Sequence, residues 1–131
     1  MRVNPWLILS GLSGLISVLA GAYGYHWIEY DEVAQRDLFN MGVQYQMWHS
    51  LALLAVAVLW DREPTPRRRR VLNLSGAGFT LGILCFCGSL YVFGLTLVLI
   101  PGVAPFGGFC LMAGWLALIW TGARRGAQKD A

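Results

Sequence analysis

The sequence predicts an all-α integral membrane protein, a single domain of four transmembrane helices with both termini on the cytoplasmic side. Three observations carry this expectation. The 131 residues are 56% hydrophobic and only 13% charged, roughly half the charged fraction usual in a soluble domain. Four apolar runs, at about residues 6–27, 42–60, 71–97 and 106–122, have lengths suited to crossing a hydrocarbon core. With the N-terminus inside, four crossings leave Arg2, Arg62, Arg67, Arg68, Arg69, Arg70, Arg124, Arg125 and Lys129 inside and only Arg36 outside. That is a strong positive-inside pattern.

The spans use most of the chain, so no separate soluble domain is expected. The net charge of +3 sits beside hydrophobic segments, where basic residues set topology and meet anionic lipid headgroups. The bilayer is therefore the expected partner at the cytoplasmic face, and nucleic acid is rejected. Cys85, Cys87 and Cys110 all lie inside apolar runs. An odd count in such places predicts buried thiols acting as small hydrophobes, not a disulfide framework.

The first run carries Ser10, Gly14, Ser17, Gly21 and Gly24, a spacing that places small residues on one helix face. Small faces let helix backbones approach closely in lipid. Ala20-Gly21-Ala22 also fits a signal-peptide cleavage pattern, but the apolar run is long and only Arg2 precedes it, so a retained helix is expected. A polar segment with Glu29, Asp31, Glu32 and Asp37 follows. The second helix is expected to begin near Asp37, a suitable N-cap, and to end at Trp60.

Asp61 to Arg70 reads as a short linker in which Pro64 and Pro66 interrupt the helix. The run Arg67 to Arg70 is the strongest charge signal in the chain and reads, with Arg124 and Arg125, as a topology anchor. The third run repeats the small-residue device with Ser75, Gly78, Gly82, Cys85 and Ser89. Pro101 to Pro105 is expected to break it and to lie in the interface or fold partly into the bundle. The fourth run carries Gly107, Cys110, Gly114, Ala117 and Thr121 at the same spacing. Stripes at this interval favour a seam in a left-handed bundle, and close packing is the plainest reading of the glycines. Trp6, Trp27, Trp48, Trp60 and Trp120 fall near span ends, where indole favours the interface.

The candidate chemistry is a polar cluster in the outer half. His26, Glu29, Gln44, Tyr45, Gln46 and His49, with Ser89 and Tyr91 at comparable depth, form a candidate ligand-binding set, because an ionisable group inside a membrane segment is a functional hypothesis by default. Metal, haem or a proton-linked small molecule would suit it. Two histidines 23 residues apart form no recognised ligand spacing, so no cofactor or metal is expected. Histidines hydrogen-bonded to backbone, Gln or Tyr are the simpler reading. Cys85 and Cys87 point apart on a helix. No catalytic set is visible, so no enzyme is expected.

Gly21-Ala22-Tyr23-Gly24-Tyr25-His26 resembles a Gly-Ala-Phe-Gly-x-His pattern, and Tyr45-Gln46-Met47-Trp48-His49 resembles Tyr-Gln-x-x-His. Gly88-Ser89-Leu90-Tyr91 and Pro105-Phe106-Gly107-Gly108 complete a set in order. Together they are similar to the small membrane proteins of domain of unknown function 423, whose eukaryotic relatives are called transmembrane protein 256-like. The resemblance spans Leu7 to Arg124. It implies a four-helix protein of the bacterial cytoplasmic membrane with its first span retained, and it implies no activity. The Arg67 to Arg70 run departs from the pattern. The leading expectation is a non-enzymatic accessory, assembly or packing subunit that associates with itself or another membrane protein through leftover glycine faces. The alternative is binding or transport of a small molecule, metal or haem around His49 and His26.

Overall fold

The computed structural model describes residues 3–126, with side chains described as far as residue 123. Arg2, Lys129 and the side chains of Arg124 and Arg125 lie outside the described residues, so the structure does not bear on their role as anchors. Every described element is helical: α1 Pro5–His26, α2 Val33–Arg62, α3 Pro66–Gly82, a π-helical turn Ile83–Cys87, α4 Gly88–Thr96 and α5 Val103–Gly126.

Helix α1 starts with Pro5 at its first position and Asn4 as N-cap. Asn4 Oδ1 accepts from Leu7 N–H at 3.1 Å, and Asn4 Nδ2 donates to Ala57 O at 3.0 Å. One side chain thus satisfies an orphan amide and pins the start of α1 to the far end of α2.

Helix α2 begins at Val33, not near Asp37, and Glu32 is the N-cap position. The reason is Gln35 in the first turn, which is buried. Its Oε1 accepts from Asp31 N–H at 3.1 Å while its Nε2 donates to Gly94 O at 2.8 Å. The amide joins the first turn of α2 to the last turn of α4. Asp37 lies one turn in, exposed, 3.6 Å from Arg36.

Helix α4 stops at Leu97, which adopts φ 57°. The connector is shorter than expected, because Pro105 sits in the first turn of α5, where its missing N–H is not needed. Residues 97–102 are all exposed, so the connector does not fold into the bundle.

Three helical stretches are long and apolar enough to cross a membrane: Pro5–His26, Pro66–Thr96 and Val103–Ala123. Helix α2 is not among them, since Gln44, Gln46, His49 and Ser50 interrupt its apolar stretch. It buries three of these four, leaving only Gln44 exposed, as expected for polar groups inside a membrane bundle. α2 is the centre of the fold. It packs on α1 on one side and on α3, the π-turn and α4 on the other, while α5 packs on α3 and the π-turn. The core joins Leu53 and Val56 of α2 to Leu72 and Phe79 of α3, Cys87 of the π-turn and Leu111 of α5.

The small-residue stripes build two seams. On α1, Ser10 Oγ donates to Ser50 O and Ser17 Oγ to Val43 O, each at 2.8 Å. Gly14 faces Ser50, Gly21 faces Val43 and Gly24 faces the Phe39 ring. On α3, Ser75 Oγ donates to Gly114 O at 2.8 Å, Gly78 lies against the backbone of Cys110 and Gly114, and Gly82 lies against Leu111 and Gly107 O. Gly107 lies against the Phe86 backbone and Gly114 against the Phe79 ring. The stripes are therefore spent within the chain as close packing. Among the described residues, the glycines with open space around their Cα are others: Gly11, Gly88, Gly108 and Gly122 in helices and Gly102 in the connector.

The third stripe does not run straight through Cys85 to Ser89. A π-turn, with its wider i→i+5 bonding, interrupts the series. Before it, Gly78 and Gly82 face α5; after it, Leu90 and Tyr91 pack on Gly42, and Gly94 on Phe39, both of α2. The turn passes the helix from one neighbour to the other. Ser89 Oγ donates to Phe86 O within the turn at 2.8 Å, supplying a donor where the regular ladder is broken.

Candidate functional site

Two polar constellations sit on adjacent faces of α2. The first faces α1. Gln46 is buried, and its Nε2 reaches Ser13 O at 3.0 Å and Ser13 Oγ at 3.4 Å, while its Oε1 accepts from Tyr91 O–H at 2.6 Å. Ser50 Oγ lies 2.7 Å from Ser13 Oγ and 2.6 Å from Gln46 O. With one hydrogen per hydroxyl, Ser13 donates to Ser50 and Ser50 donates to Gln46 O. The network closes on itself and ties α1, α2 and α4 together.

The second constellation faces α5. His49 is buried. Its Nδ1 lies 2.7 Å from Tyr45 O, so that nitrogen carries the hydrogen, and its Nε2 accepts from Trp115 Nε1–H at 3.2 Å. The indole only donates, which fixes the neutral Nδ1–H tautomer. Tyr45 stacks on the imidazole at 5.8 Å between centroids, with Phe79 and Trp115 against it at 5.7 and 6.1 Å. A metal or haem iron at Nε2 would have to displace the Trp115 indole. Among the described residues no group of three His, Cys, Asp or Glu side chains could hold a metal ion.

The structure therefore divides the expected cluster. His26 is exposed at the end of α1 against Tyr25 and Trp27, and Glu29 is exposed beyond it. Gly24 of α1 lies beside Phe39, so His49, ten residues further along α2, is about 15 Å deeper. Ser89 turns to its own backbone, and Gln44 faces outward. Tyr91 joins Gln46, and Tyr45 joins His49. Trp115 was not among the candidate residues; its signal is an indole far from either end of its span, where tryptophan needs a partner for its N–H. Replacing Trp115 with Phe is expected to lose about 1 kcal/mol, read as a lower unfolding midpoint in detergent. The same substitution in a His49→Ala background should cost less, and equal costs would remove the hydrogen bond as the cause.

An apolar groove of about 620 Å³ opens between α1 and α4, lined by Ile16, Leu19, Tyr23, Trp27, Phe39 and Tyr91 among others. A smaller one of about 210 Å³ lies along the same side of α1 and reaches Ser13 and Gln46. The polar atoms at the floor of these grooves are those already bonded to one another. The grooves suit hydrocarbon and present no reacting group.

At the α2–α3 turn the four consecutive arginines are not equivalent. Arg67 and Arg70 are exposed, whereas Arg68 and Arg69 are half-buried. Arg68 Nη1 lies 3.5 Å from buried Glu63 Oε2, and its Nη2 donates to Thr121 O at 2.9 Å. Arg69 covers the Trp60 ring at 4.7 Å, and Arg67 covers Trp120 at 5.7 Å. The run is thus a clasp between α2, α3 and α5 as well as a charge signal.

Comparison with known proteins places this arrangement in a group. The model of a protein family of unknown function, DUF423, matches residues 20–108. The chain is 37% identical to the UPF0382 inner membrane protein YgdD of Escherichia coli K12 over 94% of this chain and 92% of that protein. It is 34% identical to the UPF0382 membrane protein SH2409 of Staphylococcus haemolyticus, over 87% and 91% of the two chains. It is 32% identical to the UPF0382 membrane protein YwdK of Bacillus subtilis, over 89% and 94%. No solved structure matches the chain.

Proposed function

Because the chain belongs to the DUF423 family of membrane proteins of unknown function, we propose from its geometry that it is a non-enzymatic packing or accessory subunit of the bacterial cytoplasmic membrane. In this reading it crosses four times with both termini inside, and it associates with a second copy or another membrane protein. The single observation that carries the proposal is the arrangement of the edge helices. α1 packs chiefly on α2, and α5 chiefly on α3 and the π-turn, so each presents a broad outer face.

Apolar exposure alone does not bring helices together in lipid; close packing does. The outer faces offer it at Gly11 on α1 and at Gly108 and Gly122 on α5, where none of the described residues approaches the bare backbone. Leu12, Met112, Leu116 and Ile119 flank these positions and are exposed. The polar groups at the centre of the fold are engaged with one another, which supports a structural role for them.

The test is disulfide trapping in native membranes. Single cysteines at Leu12 and Leu116, in a background with Cys85, Cys87 and Cys110 replaced by Ala, are expected to form adducts on mild oxidation, while a cysteine at the shielded Ser17 position should not. Monomer alone at every outward position would sink the proposal.

A further inference from the structure

We propose that the α2–α3 turn is a binding site for the phosphate of an anionic phospholipid headgroup, with Arg69 and Trp60 as its donors and Arg67 and Arg70 as flanking charges. This adds a specific lipid site to the packing role above and does not depend on that role.

The local charge is unbalanced. Asp61 to Arg70 holds Arg62, Arg67, Arg68, Arg69 and Arg70 against Asp61 and Glu63. Glu63 is turned inward, with one carboxylate oxygen facing Arg68 and the other accepting from Thr65 N–H at 3.1 Å. Arg67, Arg69 and Arg70 form no ion pair among the described residues. Arg67 and Arg69 also occupy the first turn of α3 and Arg70 follows it, at the end where the helix macrodipole disfavours cations and favours an anion.

The hydrogen-bond inventory points the same way. Among the described residues four buried side-chain polar atoms lack a partner: Tyr30 Oη, Trp60 Nε1, Arg68 Nε and Arg69 Nε. Three of the four cluster at this one turn, and all three are donors. Buried donors of this kind are rare and call for an acceptor. Arg69 lies over the Trp60 ring, so two of the three belong to touching side chains. Arg69 Nη2 is otherwise 3.5 Å from Trp60 O, at the outer limit of a hydrogen bond. The two side chains are half-buried as a whole while these nitrogens are covered, so a phosphate oxygen reaches them only when the Arg69 side chain shifts over the Trp60 ring. A phosphate supplies charge and several acceptors together.

The lipid headgroup is the source because of where the turn lies. It joins the apolar last turns of α2, from Leu51 to Trp60, to the long apolar stretch Pro66–Thr96, and it is bracketed by Trp60 and Trp120, side chains that favour the headgroup level. Arginines at that depth attract anionic lipid.

The test is native mass spectrometry of the full-length protein titrated with phosphatidylglycerol, phosphatidylcholine or inorganic phosphate. Wild type is expected to prefer phosphatidylglycerol by about tenfold, the gain from one to two arginines near the surface. Arg69→Gln and Trp60→Phe should each reduce that preference several-fold; Trp60→Phe keeps an aromatic ring and removes the N–H. Arg36→Gln, in the first turn of α2 at the opposite end of that helix, should leave the preference unchanged. Equal binding of the two lipids, or an Arg36→Gln loss equal to that of Arg69→Gln, would overturn the site. Displacement of phosphatidylglycerol by equimolar inorganic phosphate would overturn the lipid as its occupant.

Discussion

Gly107→Ala is expected to destabilise the protein by about 3 kcal/mol, the upper range for overpacking, whereas Gly108→Ala one residue on should be neutral or slightly stabilising. A Cβ on Gly107 would run into the backbone nitrogen and Cα of Phe86 in the π-turn. Backbone cannot rotate away as a side chain can, so the added methyl must push α5 off the π-turn. Gly108 has open space, and alanine there removes the backbone freedom that makes glycine costly in a helix, worth about 0.5–1 kcal/mol. The measurement is the unfolding midpoint of each variant in the same detergent. Similar midpoints for the two would show that the close approach at Gly107 is not real. Because Gly78 also meets backbone, that of Cys110 and Gly114, Gly78→Ala should follow Gly107→Ala.

Gln46→Leu should cost about 2 kcal/mol, more than any single neutral hydrogen bond of the network. The substitution takes away the acceptor of the Tyr91 hydroxyl and the donor to Ser13 O at once. Membrane hydrogen bonds are individually modest, averaging about 0.6 kcal/mol in mutant cycles, but here the groups left behind face apolar surroundings. Tyr91→Phe alone should cost about 1 kcal/mol. The double variant should cost less than the sum, since the phenyl ring that replaces the phenol needs no acceptor. Strict additivity of the two changes would mean that the amide and the phenol do not act as a unit.

The helices and their small-residue faces were legible because both depend on short-range spacing. Ser10, Ser17 and Gly24 are all buried on one face of α1, as their interval requires. What the interval does not contain is the identity of the neighbour, so the stripes read as close packing without saying which helix each one meets. The π-turn was not legible, because its residues, Ile83 to Cys87, have no composition that distinguishes them from an ordinary α-turn. The start of α2 was misplaced for a similar reason. Its anchor is a bond from Gln35 to Gly94, 59 residues away, whereas Asp37 offered a stronger local signal.

The candidate site was legible by residue type and not by grouping. His49, Tyr45, Gln46 and Tyr91 are all engaged, but in two groups on adjacent faces of α2, because Tyr45 and Gln46 are successive residues and so point about 100° apart, each toward a different neighbour. His26 and Glu29 were grouped with them by apparent membrane depth, and the antiparallel packing of α1 on α2 leaves them well apart. Glu63 drew no notice among so many arginines, although it is the buried charge on which the clasp is built.

The two seams divide the chain in an uneven way. The hydrogen bonds of the α1–α2 seam, from Asn4–Ala57 through Ser10–Ser50 to Ser17–Val43, involve only residues 4–57. Those of the α3–α5 seam, such as Ser75–Gly114 and Arg68–Thr121, involve only residues beyond 66. Only a few bonds cross between the halves, notably Trp6–Asn73, Gln35–Gly94, Gln46–Tyr91 and His49–Trp115. In the order of synthesis, the residues of the α1–α2 seam are all present before those of the α3–α5 seam exist, whereas the bonds from Gln35, Gln46 and His49 of α2 wait for Gly94, Tyr91 and Trp115.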